Sequence, residues 1–157
     1  MVDFYFFDSS ALVKRYVTET GSAWVQAMTH PQAGHQLLLA RITWVEVLSA
    51  LARLQRQGNL ATSPINKTLD TFRYDWDTQY QVVEIDQVLI EMAGRLVQSH
   101  SLRAYDGVQL AAALRIRAAL VNTARTTFTF VTADRRLLAI AQSEGLVTID
   151  PSTPSNP

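Results

Sequence analysis

The sequence predicts a three-layer α/β/α fold with helices on both faces of a central, mainly parallel sheet of five strands. Short apolar runs alternate with longer segments whose apolar residues recur every three or four positions, as expected for buried strands and amphipathic helices. The intervening helices are long enough to serve as crossovers between parallel strands. The 157 residues fit one domain of ordinary size.

Five apolar runs are predicted as strands, and each is followed by a turn signal or a helix start. The predicted strands are residues 2–7, 36–40, 82–85, 128–132 and 146–149. The helices between them are predicted over residues 11–17, 20–28, 43–57, 63–80, 86–98, 104–120 and 133–144. We expect Ser9 or Ser10 to cap the first of these helices.

One domain is predicted over residues 1–150, and the last seven residues, PSTPSNP, are predicted to form a disordered tail. No apolar run exceeds five residues, so a membrane span is not expected. Asp3 stands where a secretory signal would carry positive charge, and export is therefore not expected. The sequence contains no cysteine, which excludes disulfides and thiolate metal sites. A cytoplasmic location is the default expectation.

The charges balance, with fourteen Lys and Arg residues against fourteen Asp and Glu residues. A net-neutral chain lacks the overall basic field that coats nucleic acid without specificity, so nucleic-acid binding would require a local patch. Twelve of the fourteen cations are arginine, which suits bidentate contact with phosphate. Solvated surface arginine explains the same bias.

Four acidic residues are predicted at the carboxyl ends of strands or in the first turns of helices. Asp8 ends the first strand, Glu46 and Asp106 lie in first helical turns, and Asp134 follows the fourth strand. In open parallel sheets ligands bind beyond the carboxyl ends of the strands. Carboxylates gathered there would repel one another unless a divalent cation neutralised them, and oxygen ligands suit Mg²⁺ or Mn²⁺.

Each acid also has a purely structural interpretation. Thr43 to Glu46 matches a capping box, in which the glutamate would bond back to the Thr43 amide. Asp106 and Asp134 would complement the helix dipole, and Asp8 could simply cap its helix. The joint placement of all four acids favours a metal-dependent phosphodiesterase.

Four segments together resemble a PIN-domain protein of the VapC-like toxin type: FFDSSALVKRY, RITWVEVLSALAR, LRAYDGVQLAAAL and FVTADRRLLAIAQSEGL. They follow the family's order and spacing from Val2 to Asp150. The resemblance implies a metal-dependent endoribonuclease that holds one or two Mg²⁺ or Mn²⁺ ions. Its acidic site maps onto Asp8, Glu46, Asp106 and Asp134, and its small hydroxyl positions map onto Ser10 and Thr132.

The resemblance also implies partners, namely an RNA substrate, a second copy of the chain in a homodimer and a cognate antitoxin that covers the site. Five cations lie on elements that start at the predicted site and are candidate contacts for the RNA backbone: Lys14, Arg15, Arg53, Arg135 and Arg136. Solvated helix faces explain these residues about as well.

The chain departs from the family in the segment after Asp106. Members often read D-A-I-H-L-A there, whereas this chain has Gly107 and Gln109. Neither change removes a carboxylate, so activity is expected. Two alternatives are an inactive PIN-fold binding module and a HAD-like phosphohydrolase. The latter fits less well, because it would carry a second acid where this chain has Ser10.

Overall fold

The computed structural model describes residues 1–59 and 61–154. Its sheet has five strands in the order β3-β2-β1-β4-β5, and every neighbouring pair is parallel. This arrangement confirms the predicted fold class. The strands are β1 (Val2–Phe7), β2 (Gln36–Ala40), β3 (Tyr80–Val83), β4 (Thr126–Val131) and β5 (Val147–Ile149).

Helices connect each strand to the next. They are α1 (Ser9–Tyr16), α2 (Ser22–Met28), α3 (Thr43–Arg56), α4 (Thr62–Thr78), α5 (Gln87–Ser99), α6 (Ala104–Leu120) and α7 (Arg135–Ser143). A single 3₁₀ turn, Pro31–Ala33, precedes β2 where a loop is predicted. None of the helices in the described ranges is long and apolar enough to span a membrane.

The central strand β1 contributes to a core on each face of the sheet. Phe6 is fully buried on the face covered by α5, α6 and α7, where it lies 5.8 Å from Phe130 between ring centroids. Phe7 is equally buried on the opposite face, beneath α1, α3 and α4. Successive strand residues point to opposite faces, so the continuous aromatic run of β1 fills both layers.

Strand register determines which residues meet at the carboxyl edge of the sheet. Phe7 pairs with Val131, the last residue of β4. Asp8 and Thr132 therefore follow the two strands side by side. Because α1 begins at Ser9 and α7 at Arg135, both helix starts lie at this same edge.

The third strand begins two residues earlier than predicted. Tyr80 pairs with Leu37 and Val83 pairs with Ala40. Tyr80 is buried, and its hydroxyl bonds to Arg15 and Tyr16. These tertiary contacts draw the start of the strand to Tyr80, which the apolar run alone does not indicate.

The helices α5 and α6 approach each other closely at Gly107. A β-carbon at this position would lie 2.6 Å from Val97 Cγ1 and 3.3 Å from the carbonyl oxygen of Ala93. Gly107 is itself buried. Gly107, which departs from the family pattern, therefore allows α5 and α6 to pack at this short distance.

Residues 151–154, assigned to a disordered tail from the sequence, form a turn in which Pro151 is buried. The Asp150 carboxylate accepts a hydrogen bond of 2.8 Å from the Ser152 amide. The turn covers Gly21, where a β-carbon would lie 2.5 Å from the Pro151 carbonyl oxygen. The rest of the predicted tail, residues 155–157, lies outside the described residues.

Candidate active site

Asp8 lies between the end of β1 and the start of α1 and is 3% exposed. Its carboxylate caps α1 by accepting a 2.9 Å hydrogen bond from the Ala11 amide. The hydroxyls of Ser10 and Thr132 each donate to it at 2.7 Å. Asp8 thus caps its helix, as its purely structural interpretation predicted. It also accepts hydrogen bonds from a side chain in α1 and from one that follows β4.

Ser10 and Thr132 also hold the ends of β1 and β4 together. The Ser10 hydroxyl accepts a 2.9 Å bond from the Ala133 amide, and the Thr132 hydroxyl accepts a 3.1 Å bond from the Asp134 amide. Both hydroxyls therefore connect the Asp8 carboxylate to the segment that carries Asp134. This placement allows both side chains to orient the Asp8 carboxylate.

Burial raises the pKa of Asp8 to about 7. Hydrogen bonds from Thr132, Ser10 and the Ala11 amide favour the charged form and oppose this shift, while the nearby charge of Glu46 adds to it. A carboxyl group with this pKa is only partly ionised near neutral pH. Its charged form would be stabilised by any cation that entered the site.

Glu46 projects from α3 and accepts a 2.6 Å hydrogen bond from Nε2 of Gln109 on α6. Burial raises its pKa, and donors on Gln109 and Ser9 oppose that rise. The predicted capping box is wrong. A capping box requires Thr43 to be the N-cap, but the N-cap of α3 is Ile42. Thr43 therefore lies inside the helix, and its hydroxyl accepts a 2.9 Å hydrogen bond from Gln109.

Asp106 and Asp134 lie at the starts of α6 and α7. Asp134 caps α7 by accepting from the amides of Arg136 at 2.8 Å and Leu137 at 3.0 Å. Asp106 is half-buried in the first turn of α6. Its pKa is raised first by burial and then by the negative charge of Asp134. The two acids are therefore close enough to interact electrostatically.

One groove of about 450 Å³ brings these elements together, and all four predicted acids line it. Its remaining lining comes from α1, α3 and the start of α6: Ser9, Ser10, Val13, Val45, Ser49, Ala50, Arg53, Arg103 and Tyr105. Electrostatic interactions run from Asp8 to Glu46, from Glu46 to Asp106 and from Asp106 to Asp134. The four carboxylates thus form a chain of interacting charges along the groove, which Arg53 and Arg103 also line.

The donor chemistry of this groove suits a hard divalent cation, because every candidate ligand is an oxygen atom. Burial and the charges of neighbouring acids disfavour the ionised forms of Asp8, Glu46 and Asp106, and a cation would relieve both effects. Across residues 1–59 and 61–154, however, no three His, Cys, Asp or Glu side chains stand close enough to form a ready metal centre. The residues fit such an ion in type and location, without a closed set of ligands.

The five candidate RNA-binding cations occupy different surroundings. Arg53 is exposed and lines the groove. Arg135 and Arg136 are exposed at the start of α7 but do not line it, and the Arg136 guanidinium bonds to the Ser101 hydroxyl.

Lys14 and Arg15 are engaged within the protein, away from the groove. Lys14 is buried and bonds to the Glu19 carboxylate at 3.2 Å. Arg15 pairs with Asp75 at 3.1 Å and donates to the Tyr80 hydroxyl at 2.6 Å. The structure therefore does not bring these two cations to the predicted site, because Glu19 binds Lys14 and Asp75 and Tyr80 bind Arg15.

The sequence did not indicate that three further residues contribute to the site, namely Ser9, Arg103 and Gln109. Arg103 precedes α6 and lines the groove, three positions before Asp106. That short spacing from a predicted acid was the available signal for Arg103. The roles of Ser9 and Gln109 depend on contacts between helices, which no local pattern shows.

A family model described as PIN domain matches residues 5–143. The chain belongs to the PIN-domain family. Two curated relatives, Ribonuclease VapC45 and Ribonuclease VapC49 from two strains of Mycobacterium tuberculosis, are each 35% identical to this PIN domain over 114 residues. Each match covers 71% of this chain and 75% of the relative. The chain is thus a VapC-like member of the ribonuclease toxin family.

Solved structures give the same fold. PAE2754 from Pyrobaculum aerophilum superposes with a TM-score of 0.58 at 21% identity, covering 94% of this chain and 83% of that one. VapBC2 from Rickettsia felis, solved with a DNA fragment from its promoter, gives a TM-score of 0.60 at 10% identity, with 92% and 96% covered. Membership in the PIN family leaves no support for the HAD-like alternative.

Proposed function

We propose that this PIN domain is a metal-dependent endoribonuclease that hydrolyses RNA phosphodiester bonds in its acidic groove. The observation that carries the proposal is the convergence of four carboxylates from four segments of the chain on one open groove. The relatives named ribonucleases support the reaction class. Asp8, Glu46, Asp106 and Asp134 are the proposed catalytic and metal-holding residues.

The proposed cofactor is Mg²⁺ or Mn²⁺, held as one or two ions by these four carboxylates. Such an ion supplies Lewis acidity, which activates water and stabilises negative charge on phosphate oxygens. Ser10 and Thr132 fix the orientation of the Asp8 carboxylate through their 2.7 Å hydrogen bonds. The capping bonds of Asp134 hold one of its oxygens against α7 and leave the other free for a ligand.

The RNA backbone is proposed to run along the groove between cationic side chains. Arg53 on α3 and Arg103 before α6 both line it and are exposed. Tyr105 is 58% exposed beside Asp106, which makes its ring available for stacking on a base. Trp44 is half-buried and its ring stacks on Phe72 at 5.1 Å, so it is engaged within the protein.

The resemblance to VapC proteins supports a wider proposal about context. We infer that the chain is the toxin of a toxin–antitoxin pair, works in the cytoplasm as a homodimer and is covered by a cognate antitoxin. An acidic groove would attract a basic antitoxin side chain for the same electrostatic reason that it attracts a cation. The name of the Rickettsia felis complex, VapBC2, supports such a partnership.

The decisive experiment incubates the purified protein with total bacterial RNA in Mn²⁺ or Mg²⁺, with parallel samples in EDTA. Asp8→Asn is the test variant. Asp86→Asn is its matched control, because Asp86 caps α5 just as Asp8 caps α1 but lies away from the groove. We expect discrete fragments with wild type and Asp86→Asn, and none with EDTA or Asp8→Asn.

Equal cleavage by wild type and Asp8→Asn would show that the fragments do not arise in the acidic groove and would overturn the proposal. The second candidate, a binding module without activity, is favoured by two observations. Asp8 and Asp134 both cap helices, and no three acids in the described part of the chain form a ready metal centre. Absence of cleavage together with absence of Mn²⁺ binding in calorimetry would establish that alternative.

A further inference from the structure

Gln109 is a buried amide in the middle of α6, with 1% of its surface exposed. Its Nε2 atom donates to two acceptors on α3, Glu46 Oε2 at 2.6 Å and Thr43 Oγ1 at 2.9 Å. An amide nitrogen carries two hydrogens, and here both are used. The side chain therefore connects the helix that carries Asp106 to the helix that carries Glu46.

The orientation of this amide follows from the chemistry of its partner. An ionised carboxylate only accepts hydrogen bonds, so the nitrogen of Gln109 must face Glu46. The carbonyl atom Oε1 is then buried and has no hydrogen-bond partner among the described residues. A buried acceptor without a partner destabilises the fold, and an apolar side chain of similar size would avoid that loss. The benefit of glutamine here is therefore its two N–H groups.

One of those N–H groups bonds to the Glu46 carboxylate, and the other fixes the amide itself by bonding to Thr43. Glu46 is half-buried on the groove side of α3. The hydrogen bond from Gln109 on α6 restricts its side-chain torsions. One carboxylate oxygen is committed to Gln109, and the carboxylate is held where it lines the groove.

We propose that Gln109 is a positioning residue that fixes the Glu46 carboxylate for cation binding. This inference rests on the proposed function, because it assigns Glu46 to the metal-holding set. Residues that orient metal ligands through a hydrogen bond change metal affinity or activity by roughly 10- to 100-fold when replaced. A role limited to packing would change the stability of the fold and leave cation affinity unaltered.

The test replaces Gln109 with methionine, which keeps the length of the side chain and removes both donors. Mn²⁺ affinity is measured by calorimetry, and kcat and KM are measured on an RNA that the wild type cleaves. We expect Gln109→Met to weaken Mn²⁺ binding and lower kcat by roughly 10- to 100-fold while KM for RNA stays unchanged. Thermal unfolding of the same preparations verifies that the variant is folded.

Two further variants make the result specific. Gln79→Met is the matched control, because Gln79 also has a buried Oε1 without a described partner but lies at the end of α4, away from the groove. It should bind Mn²⁺ like the wild type. In a Glu46→Gln background, adding Gln109→Met should have no further effect on Mn²⁺ affinity or kcat, since the two residues act as one unit.

Unchanged Mn²⁺ affinity and kcat in Gln109→Met, or an equally large loss in the Glu46→Gln background, would overturn the positioning role. These outcomes differ from failure of the proposed function, in which the wild type itself neither cleaves RNA nor binds Mn²⁺. A wild type that cleaves RNA but loses nothing in Gln109→Met refutes this inference alone.

Discussion

Two buried polar clusters lie at opposite edges of the sheet and differ in how their charges are balanced. At the amino edge, where β3 begins, Arg15 pairs with Asp75 at 3.1 Å, and Tyr16 donates to the same carboxylate at 2.8 Å. We call Arg15, Tyr16, Asp75 and Tyr80 the Arg15 cluster. At the carboxyl edge Asp8 is equally buried, but its donors are two hydroxyls and one backbone amide.

The difference separates an arrangement whose buried charges balance one another from one whose buried charges lack an opposite charge. In the Arg15 cluster each buried charge has an opposite charge beside it, so the cluster can persist without any ligand. In the acidic groove, burial raises the pKa of Asp8, Glu46 and Asp106, which means that their charged forms are destabilised by the fold. An arrangement that loses stability in this way is typical of a functional site.

Breaking the Arg15 cluster should have the largest effect on stability. Arg15→Met leaves Asp75, which is 6% exposed, as a buried carboxylate without its cation. Removing one partner of a buried pair typically costs about 3–5 kcal/mol of unfolding free energy. Urea unfolding measures this loss. Arg115→Met, which breaks the exposed pair with Asp86, should leave the unfolding free energy nearly unchanged.

The same variant also distinguishes the two roles considered for Arg15. A residue that contacts RNA would weaken RNA binding when replaced without altering the unfolding transition. Normal stability of Arg15→Met combined with weaker RNA binding would therefore contradict the structural role assigned to the Arg15 cluster.

At the acidic edge, pH should change stability in a direction set by Asp8. Its pKa rises from 3.8 to about 7 on folding, so the native state holds the proton more tightly than the unfolded chain. This stabilisation is fully present below about pH 4 and is lost as pH rises through about 7, with an upper limit of about 4 kcal/mol. Asp8→Asn should therefore be more stable than wild type at pH 8.

Urea unfolding of wild type and Asp8→Asn between pH 4 and pH 8, in EDTA, measures this difference. The advantage of the asparagine variant should grow with pH. Identical pH profiles for the two proteins would show that the Asp8 carboxyl is not destabilised by burial.

The smallest effect is expected for Arg53, the arginine that lines the groove. Because it is exposed and carries no ion pair within the described residues, Arg53→Met should leave stability unchanged. Loss of one phosphate contact should reduce the slope of log affinity against log salt concentration by about 0.7 for single-stranded RNA. Salt titrations of RNA binding to an Asp8→Asn background measure this slope without cleavage, and an unchanged slope would remove Arg53 from the RNA path.

The comparison of the two edges also shows what the sequence could predict. Asp8 follows β1 directly and Asp134 lies three residues after the end of β4, and parallel strands end at one edge, so local pattern alone was enough to bring their positions together. Asp106 and Glu46 follow helix starts that were predicted within one residue. The fold class was predictable for the same reason, because buried parallel strands appear as continuous apolar runs.

What the sequence could not predict depends on contacts between distant elements. Lys14 and Arg15 lie in the helix that follows the first strand, which starts at the predicted site. Only the packing of α1 shows that Glu19 binds Lys14 and that Asp75 binds Arg15. The bond from Gln109 to Glu46 joins residues 63 positions apart. The capping box at Thr43 failed because a one-residue shift of the helix start removes its geometry.

The close approach of α5 and α6 at Gly107 has a consequence for evolution. Gly107 is adjacent to Asp106, so a side chain there would press on Val97, and either Val97 or the start of α6 with its acid would have to shift. In an alignment of relatives, positions 97 and 107 should therefore vary as a pair, with a larger residue at 107 accompanied by a smaller one at 97. Selection for the position of Asp106 would then appear as covariation between two helix-packing positions whose side chains do not take part in a reaction.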